Sequence, residues 1–373
     1  MSVLTPLDSD LSRLRSADRY RALVPQPGID FASNDYLGLA RSARLRDAAL
    51  EAIGRGVAVG SGGSRLLRGN NGEHVLLEEE AARFFGAETA LFIGGGYGAN
   101  TLLFSTLPQR RDLVVHDALV HASAHEGMRL GRAETASFAH NDVDAAADAI
   151  AAWRARGGMG TAWLAVESLY SMDGDRAPLV DLAALAAREG AMLLVDEAHA
   201  TGVFGRDGRG LAADLDGQEN VVVLRTCGKA LGCEGALILA PATVRDFLVN
   251  RGRGFIFSTA PSPLVAAIVR DALRCLADEP ERRERLHALV GAAARVLSDI
   301  GVQPSGSPIQ PVVIGDDRQT MAVAAAMQAA GFDVRGVRPP TVPPGTSRLR
   351  LSFTLNIEEA DIVALTATLQ DQL

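Results

Sequence analysis

The stretch "TCGKALG", residues 226–232, carries Lys229, the only lysine in a chain of 373 residues whose 36 other basic positions are all arginine. Arginine is charged at every workable pH, whereas lysine can lose its proton and attack as a free amine. A lysine whose pKa is brought well below about 10.4 is the usual nucleophile for a Schiff base with a carbonyl. The small residues around Lys229 leave space for a bulky planar group. A lone surface lysine is ordinarily a solvated charge. Here its uniqueness, and its place just after the apolar run "VVVLRT" (221–226), point to chemistry instead.

Three further groups occupy comparable places. In "GGGYGAN" (94–100), glycines between an apolar run and a helical pattern present backbone amides and a helix N-terminus to an anion such as phosphate. Gly94, Gly96 and Ala99 also fit the dinucleotide pattern G-x-G-x-x-A, and Asp117 stands about 20 residues on, where a ribose-binding acid belongs. In "VDEAHATG" (195–202), Asp196 and His199 leave the end of the most hydrophobic run together. A carboxylate there can hold a metal, a cationic ring nitrogen or a structural partner. The letters "DEAH" also match a Walker B box, which requires a phosphate loop. The one G-K pair, Gly228–Lys229, is followed by Ala230 and has Leu224 at the first motif position, so that loop is missing. In "VHASAHEGMRL" (120–130), His121 and His125 are spaced i, i+4, but no third ligand accompanies them as zinc would need. A single imidazole over a planar cofactor is the better functional reading, with a core histidine the plain one for His125.

A dehydrogenase needs only the glycine turn. Pyridoxal 5′-phosphate chemistry uses all of the parts: an amine, a carboxylate for the pyridinium nitrogen and an anion nest.

These groups have to be positioned by a sheet. "TALFIGG" (89–95), "DLVVHD" (112–117), "TAWLAVESLY" (161–170), "AMLLVDEAH" (191–199), "VVVLRT" (221–226) and "GALILA" (235–240) are continuous apolar runs, as strands covered on both faces are. Between them lie helical patterns such as "DVDAAADAIAAWRARG" and "LVDLAALAAREG", the latter closed by a C-capping glycine. The alternation predicts an α/β fold with a mostly parallel sheet. In such sheets ligands bind beyond the carboxyl ends of the strands, which is where the groups above fall. After residue 240 long helices and short strands predict a smaller α+β domain. The expected organisation is an N-terminal segment (1–40), a large domain (41–240) and a small C-terminal domain (241–373). Three cysteines show no metal or redox spacing, and an odd count argues against a disulfide framework. The charged N-terminus resembles no signal peptide and no apolar run is long enough to span a bilayer, so a cytoplasmic setting is expected. A net charge of −8 gives no support to a nucleic-acid partner.

Over nearly its whole length the chain resembles the α-oxoamine synthases, a family of fold-type I pyridoxal phosphate enzymes, and most of all their biotin-pathway branch. The likeness rests on "FASNDYLGLA" (31–40), "GSGGSRLLRG" (60–69), "LFIGGGYGAN" (91–100), "HASAHEGMRL" (121–130) and "ESLYSMDGDRAPL" (167–179). It continues through "VDEAHATGVFGRDGRG" (195–210), "TCGKALG" (226–232), "FIFSTAPSP" (255–263) and "RLRLSFT" (348–354). The resemblance implies an aspartate aminotransferase-like fold and an acyltransferase that condenses an amino acid with an acyl thioester and releases CO2. Alanine and a pimeloyl thioester are the favoured pair. It implies that Lys229 forms the internal aldimine, Asp196 pairs with the pyridine nitrogen, His199 and Ser171 reach the ring oxygen, and His121 stacks on the ring. It assigns the phosphate to Gly96, Tyr97 and Thr226, with Ser258 and Thr259 supplied by the second subunit of a homodimer. Asn34 and Arg350 match positions that meet the amino acid, Arg350 as a bidentate carboxylate clamp. Ser64 replaces the threonine that glycine-using members tend to carry, and Arg21 matches an arginine near the acyl entrance. "DEAHATG" and "GKALGCEGA" depart from the biotin branch's usual "DDAHGTG" and "GKGFGVSGA". These departures leave sister reactions open, toward 5-aminolevulinate, 2-amino-3-ketobutyrate or ketosphingoid bases.

Overall fold

The computed structural model describes residues 2–23, 25 and 28–373. The chain opens with α1 (Thr5–Ser16), β1 (Ile29–Asp30), α2 (Ala43–Gly54), α3 (Gly72–Phe85), β2 (Thr89–Ile93) and α4 (Gly96–Thr106). It continues through β3 (Leu113–Asp117), α5 (Ala122–Leu130), β4 (Glu134–Phe138), α6 (Val143–Ala155), β5 (Ala162–Glu167) and α7 (Leu179–Glu189). Next come β6 (Met192–Asp196), β7 (Val221–Thr226), β8 (Ala236–Ala240), α8 (Ala242–Arg251), α9 (Arg253–Ile256), α10 (Pro263–Asp278) and α11 (Glu281–Asp299). The last elements are β9 (Ile309–Gly315), α12 (Asp317–Ala329), β10 (Phe332–Asp333), β11 (Arg335–Val337), β12 (Ser347–Ser352) and α13 (Glu359–Gln370).

Two compact units result. The larger holds Leu37–Ser171 and Asp175–Glu284. Its seven-stranded sheet has the order β2-β8-β7-β6-β5-β3-β4. The pairings from β7 through β4 are parallel, and β8 is antiparallel to both β7 and β2. Every residue of β3, β5, β7 and β8 is buried, which is why these strands read as unbroken apolar runs. The core on one side gathers Leu103, Phe104, Val120, Val222 and Ile238. Strand β4, "ETASF", is an edge strand with one buried residue. It lacks the apolar run that marks its neighbours in the sequence.

The second unit holds the residues up to Tyr36, Met172–Gly174 and Arg285–Leu373. It contains the antiparallel sheet β11-β12-β9 and a short parallel pairing of β1 with β10. The boundary expected after residue 240 therefore falls at Glu284, and the N-terminal segment is part of the smaller unit. The cause is α10, whose buried face (Ala266, Val269, Leu273, Leu276) packs on α2 and α3 of the larger unit. The change in element type after residue 240 is not a change of core.

Beneath the strand ends lies a charged cluster without solvent. Arg225 is fully buried on β7, with Asp216 at 2.6 Å, Glu197 at 3.2 Å and the face of Phe85 at 4.2 Å from its guanidinium carbon. Glu197 also accepts the amides of Ala212 (2.8 Å) and Leu211 (3.1 Å), so the glutamate of "DEAH" anchors the following loop. A Cβ on Gly210, at φ +91°, would sit 1.7 Å from the Glu197 carboxylate, so only glycine fits there. Arg225→Met would leave two buried carboxylates without their cation. The expected loss is about 3–5 kcal/mol of unfolding free energy in a urea titration, and a loss below about 1 kcal/mol would contradict this reading.

Candidate active site

Neighbouring parallel strands deliver equivalent positions side by side. Asp196 ends β6 and His199 follows three residues later; Thr226 ends β7 and Lys229 follows three residues later. The two loops bring Lys229 Nζ to 2.7 Å from His199 Nε2. A contact this short needs a lone pair on one nitrogen, so the two groups cannot both be cations. The arrangement favours an amine that exchanges its proton locally.

Asp196 is fixed on both oxygens. Its Oδ1 accepts the Ala198 amide at 2.9 Å, and its Oδ2 accepts Asn100 Nδ2 at 2.7 Å. Asn100 also donates to Ser123 Oγ at 3.0 Å, and Ser123 Oγ lies 2.7 Å from His121 Nδ1. The same imidazole nitrogen accepts the Ser123 amide and caps α5. One hydrogen-bonded line thus runs Asp196–Asn100–Ser123–His121 and sets both the carboxylate and the imidazole. Asn100 and Ser123 were not singled out from the sequence. The signal was present in "GGGYGAN": Asn100 lies one turn beyond Gly96, on the buried side of α4.

Glu167 is a further residue that sequence reasoning passed over. It is the register partner of Asp196 on β5, buried, and its Oε2 accepts the Ser171 amide at 3.1 Å. Burial first, and then the charge of Asp196, push its carboxyl up to about 8, against the opposing pull of Lys229.

The glycine turn leaves the start of α4 open. No side chain caps the N-terminus of α4. A Cβ on Gly94, Gly95 or Gly98 would meet nothing within 4 Å, and one on Gly96 would lie 3.6 Å from Thr226 Oγ1. Amides at a helix start, an adjacent hydroxyl and open approach are what a phosphate monoester requires. With a carboxylate for a protonated ring nitrogen and an amine for an aldehyde, the residues present fit pyridoxal 5′-phosphate. They do not fit a dinucleotide: Asp117 is buried, with its carboxylate on the amides of Leu119 and Asn141 and on His140.

The remaining expected residues are distributed as follows. Ser171 is buried at the end of the β5 loop. Tyr97 and Ser258 line, with Gly94 and Gly95, a surface groove of about 980 Å³, and Thr259 is exposed beside it. Ser64 is half-buried in a loop, its carbonyl accepting Gly69 N at 2.9 Å. In the smaller unit Arg350 is buried on β12 and donates to Asn34 Oδ1 (3.0 Å) and Ser352 Oγ (2.7 Å), both neutral acceptors. Arg21 is exposed, 3.4 Å from Thr341 Oγ1. Among the described residues no group of three His, Cys, Asp or Glu gathers as for a metal ion, and no helix is long and apolar enough to cross a membrane.

The chain is similar to several known proteins. The family model for class I and II aminotransferases matches residues 26–365. An 8-amino-7-oxononanoate synthase of Anaeromyxobacter dehalogenans is 43% identical over 350 residues, covering 92% of this chain and 87% of that protein. The enzyme of the same name from Acidithiobacillus ferrooxidans is 39% identical, covering 98% of this chain and 97% of its own. Among solved structures, the serine palmitoyltransferase of Sphingomonas wittichii superposes with a TM-score of 0.89 at 27% identity, over 100% of this chain and 98% of that one.

Proposed function

We propose that this chain, which belongs to the class I and II aminotransferase family and within it to the α-oxoamine synthases, makes 8-amino-7-oxononanoate from L-alanine and a pimeloyl thioester, for biotin biosynthesis. It is an acyltransferase whose cofactor is pyridoxal 5′-phosphate. The observation that carries the reading is the sole lysine, Nζ 2.7 Å from His199, in a chain 39–43% identical to two enzymes bearing that name.

When bound, pyridoxal phosphate supplies an aldehyde that condenses with amines and a cationic ring that withdraws electrons from the carbon beside them. The protein's residues do the rest. Asp196, held by Asn100 and Ala198, would keep a proton on the ring nitrogen. Lys229 would hold the cofactor at rest and, once freed, its Nζ would accept the Cα proton of alanine. His199 shares that proton's path and, with Ser171, donates toward the ring oxygen. The amides of Gly96 and Tyr97 and the Thr226 hydroxyl take the phosphate, with Ser258 and Thr259 contributed by a second copy in a homodimer. Arg350 and Asn34 take the alanine carboxylate. In balance, the Cα–H, Cα–carboxylate and acyl C–S bonds break and a Cα–acyl bond forms; CO2 leaves, the thiolate leaves and takes a proton from solvent, and the proton held by Lys229 returns to Cα.

Two measurements test this. Borohydride reduction of the purified protein, followed by peptide mass spectrometry, should place one reduced adduct on Lys229. Thiol release should then be fastest for alanine with a pimeloyl thioester, among alanine, glycine and serine against pimeloyl, acetyl, succinyl and palmitoyl donors. Preference for serine with palmitoyl would move the chain to the sphingoid-forming branch, to which its fold is also similar. An adduct elsewhere would overturn the reading entirely.

A further inference from the structure

The loop that carries His121 and the hairpin that carries Ser171 are joined by a side chain to which neither the sequence motifs nor the reaction assigns a part. His140 follows β4 in "FAHND". Its Nδ1 lies 2.9 and 3.1 Å from the two oxygens of Asp117, at the end of β3, and its Nε2 lies 2.7 Å from Asp175 Oδ2. Asp117 in turn accepts the Leu119 amide at 2.8 Å, two residues before His121. Asp175 closes the hairpin: its carbonyl accepts the Tyr170 amide at 2.9 Å, and Leu169 bridges Arg176. The Tyr170 ring stands edge-on to the imidazole, 4.4 Å between centroids.

Asn141 completes the link. Its amide donates to Asp117 (2.8 Å), and its side chain donates to Asp175 (2.8 Å) and to the Arg176 carbonyl (3.2 Å). Its backbone takes φ +58°, a left-handed conformation that asparagine tolerates better than most residues. The backbone is thus turned so that both of its groups face the same two aspartates.

We propose that His140 is a positioning residue for the cofactor, an imidazolium that cross-links the β3 loop to the 169–176 hairpin and so fixes His121 and Ser171 against one another. The inference rests on the functional reading above for what those two residues touch, not for the link itself. An uncharged ring could donate to only one of the two aspartates, whereas each nitrogen has a carboxylate within reach; the Asn141 amide, 3.2 Å from Nε2, has its two hydrogens taken by Asp175 and the Arg176 carbonyl. The titratable groups facing the ring are Asp117, Asp175 and the Tyr170 phenol. Burial works against the charged ring, but the hydrogen bonds to the two carboxylates outweigh it and push its pKa up to about 10. A histidine pKa raised on folding adds stability that is complete below about 6.5 and is lost as pH rises through the folded value, so the link persists across neutral pH.

The test uses the full-length chain, with His140→Gln, the milder Asp175→Asn, and the double variant. Each charge-assisted bond is worth about 10- to 100-fold in an equilibrium. Hydrogen exchange without cofactor should speed up by that factor at the Leu119, Asn141 and Tyr170 amides in both single variants, with β6 and β7 unchanged. Pyridoxal phosphate affinity, read by absorbance titration, should fall at least about tenfold in each. The double variant should be no worse than the weaker single, because both remove one link. Unchanged local exchange with a lowered melting temperature would make His140 merely structural and overturn the proposal, as would cofactor affinity within about twofold of the parent. The exchange result stands whether or not borohydride labels Lys229, so failure of the link and failure of the functional reading are separable.

Discussion

Lys229→Ala is expected to lower turnover at least about 10³-fold while leaving the fold intact. The side chain is half-buried, and its Nζ meets His199 across a loop rather than the sheet core. The informative companion is Lys229→Arg. Arginine restores the cation and most of the volume, but its guanidinium stays protonated above pH 12 and offers no free amine. If Lys229 served only as a charge for a phosphate or a carboxylate, the arginine variant would keep most of its activity. If it is the nucleophile and proton carrier, both variants fail alike, and neither yields a borohydride-stable adduct at position 229. Arginine stands at the 36 other basic positions, so a lysine kept at 229 alone fits a demand for a free amine. Turnover in Lys229→Arg above about a tenth of the parent's would sink the assignment.

How much of this was legible without coordinates depends on where a residue's partners lie. The six apolar runs became β2, β3, β5, β6, β7 and β8 because strands buried on both faces must be apolar along their whole length. Strand β4 was invisible because an edge strand owes little to the core and is held by backbone pairing, which leaves no side-chain signature. Lys229, Asp196 and His199 could be picked out because they stand just beyond such runs, where a parallel sheet opens. Asn100, Ser123, Glu167 and His140 could not. Each acts through a residue distant in sequence: Asn100 on Asp196, Glu167 beside Asp196, His140 on Asp117 and Asp175. Sequence pattern reports a residue's local environment, and a second layer of polar partners is defined by register between strands. The division at Glu284 rather than after residue 240 has the same origin. Helix α10 looks like the start of a new domain, yet its apolar stripe is complementary to α2 and α3, more than 170 residues earlier.

The second large effect is expected at Asp196. Asp196→Asn preserves size and one acceptor, so a purely structural aspartate would tolerate it. Here the local bonding makes the exchange costly in a defined way. Both carboxylate oxygens already accept hydrogen bonds, from Ala198 and from Asn100. An asparagine can keep the Ala198 bond, but its own amide then faces the amide of Asn100, donor against donor. Asn100 must rotate, and in rotating it gives up Ser123, to which the capping imidazole of His121 is tied. The substitution therefore removes the charge proposed to keep the ring nitrogen protonated and disturbs the imidazole as well. Losing one preorganised electrostatic partner in a low-dielectric site costs about 10²–10³-fold in turnover. Asp196→Asn should fall by at least this much, and its absorbance band should shift with pH where the parent's does not. Lys229 should still be labelled by borohydride, because amine and aldehyde need no carboxylate to condense. That combination, a retained adduct with lost turnover, separates a residue that tunes the ring from one that merely holds the fold. A retained turnover within about threefold would place the proton on the ring nitrogen by some other means and remove Asp196 from the mechanism.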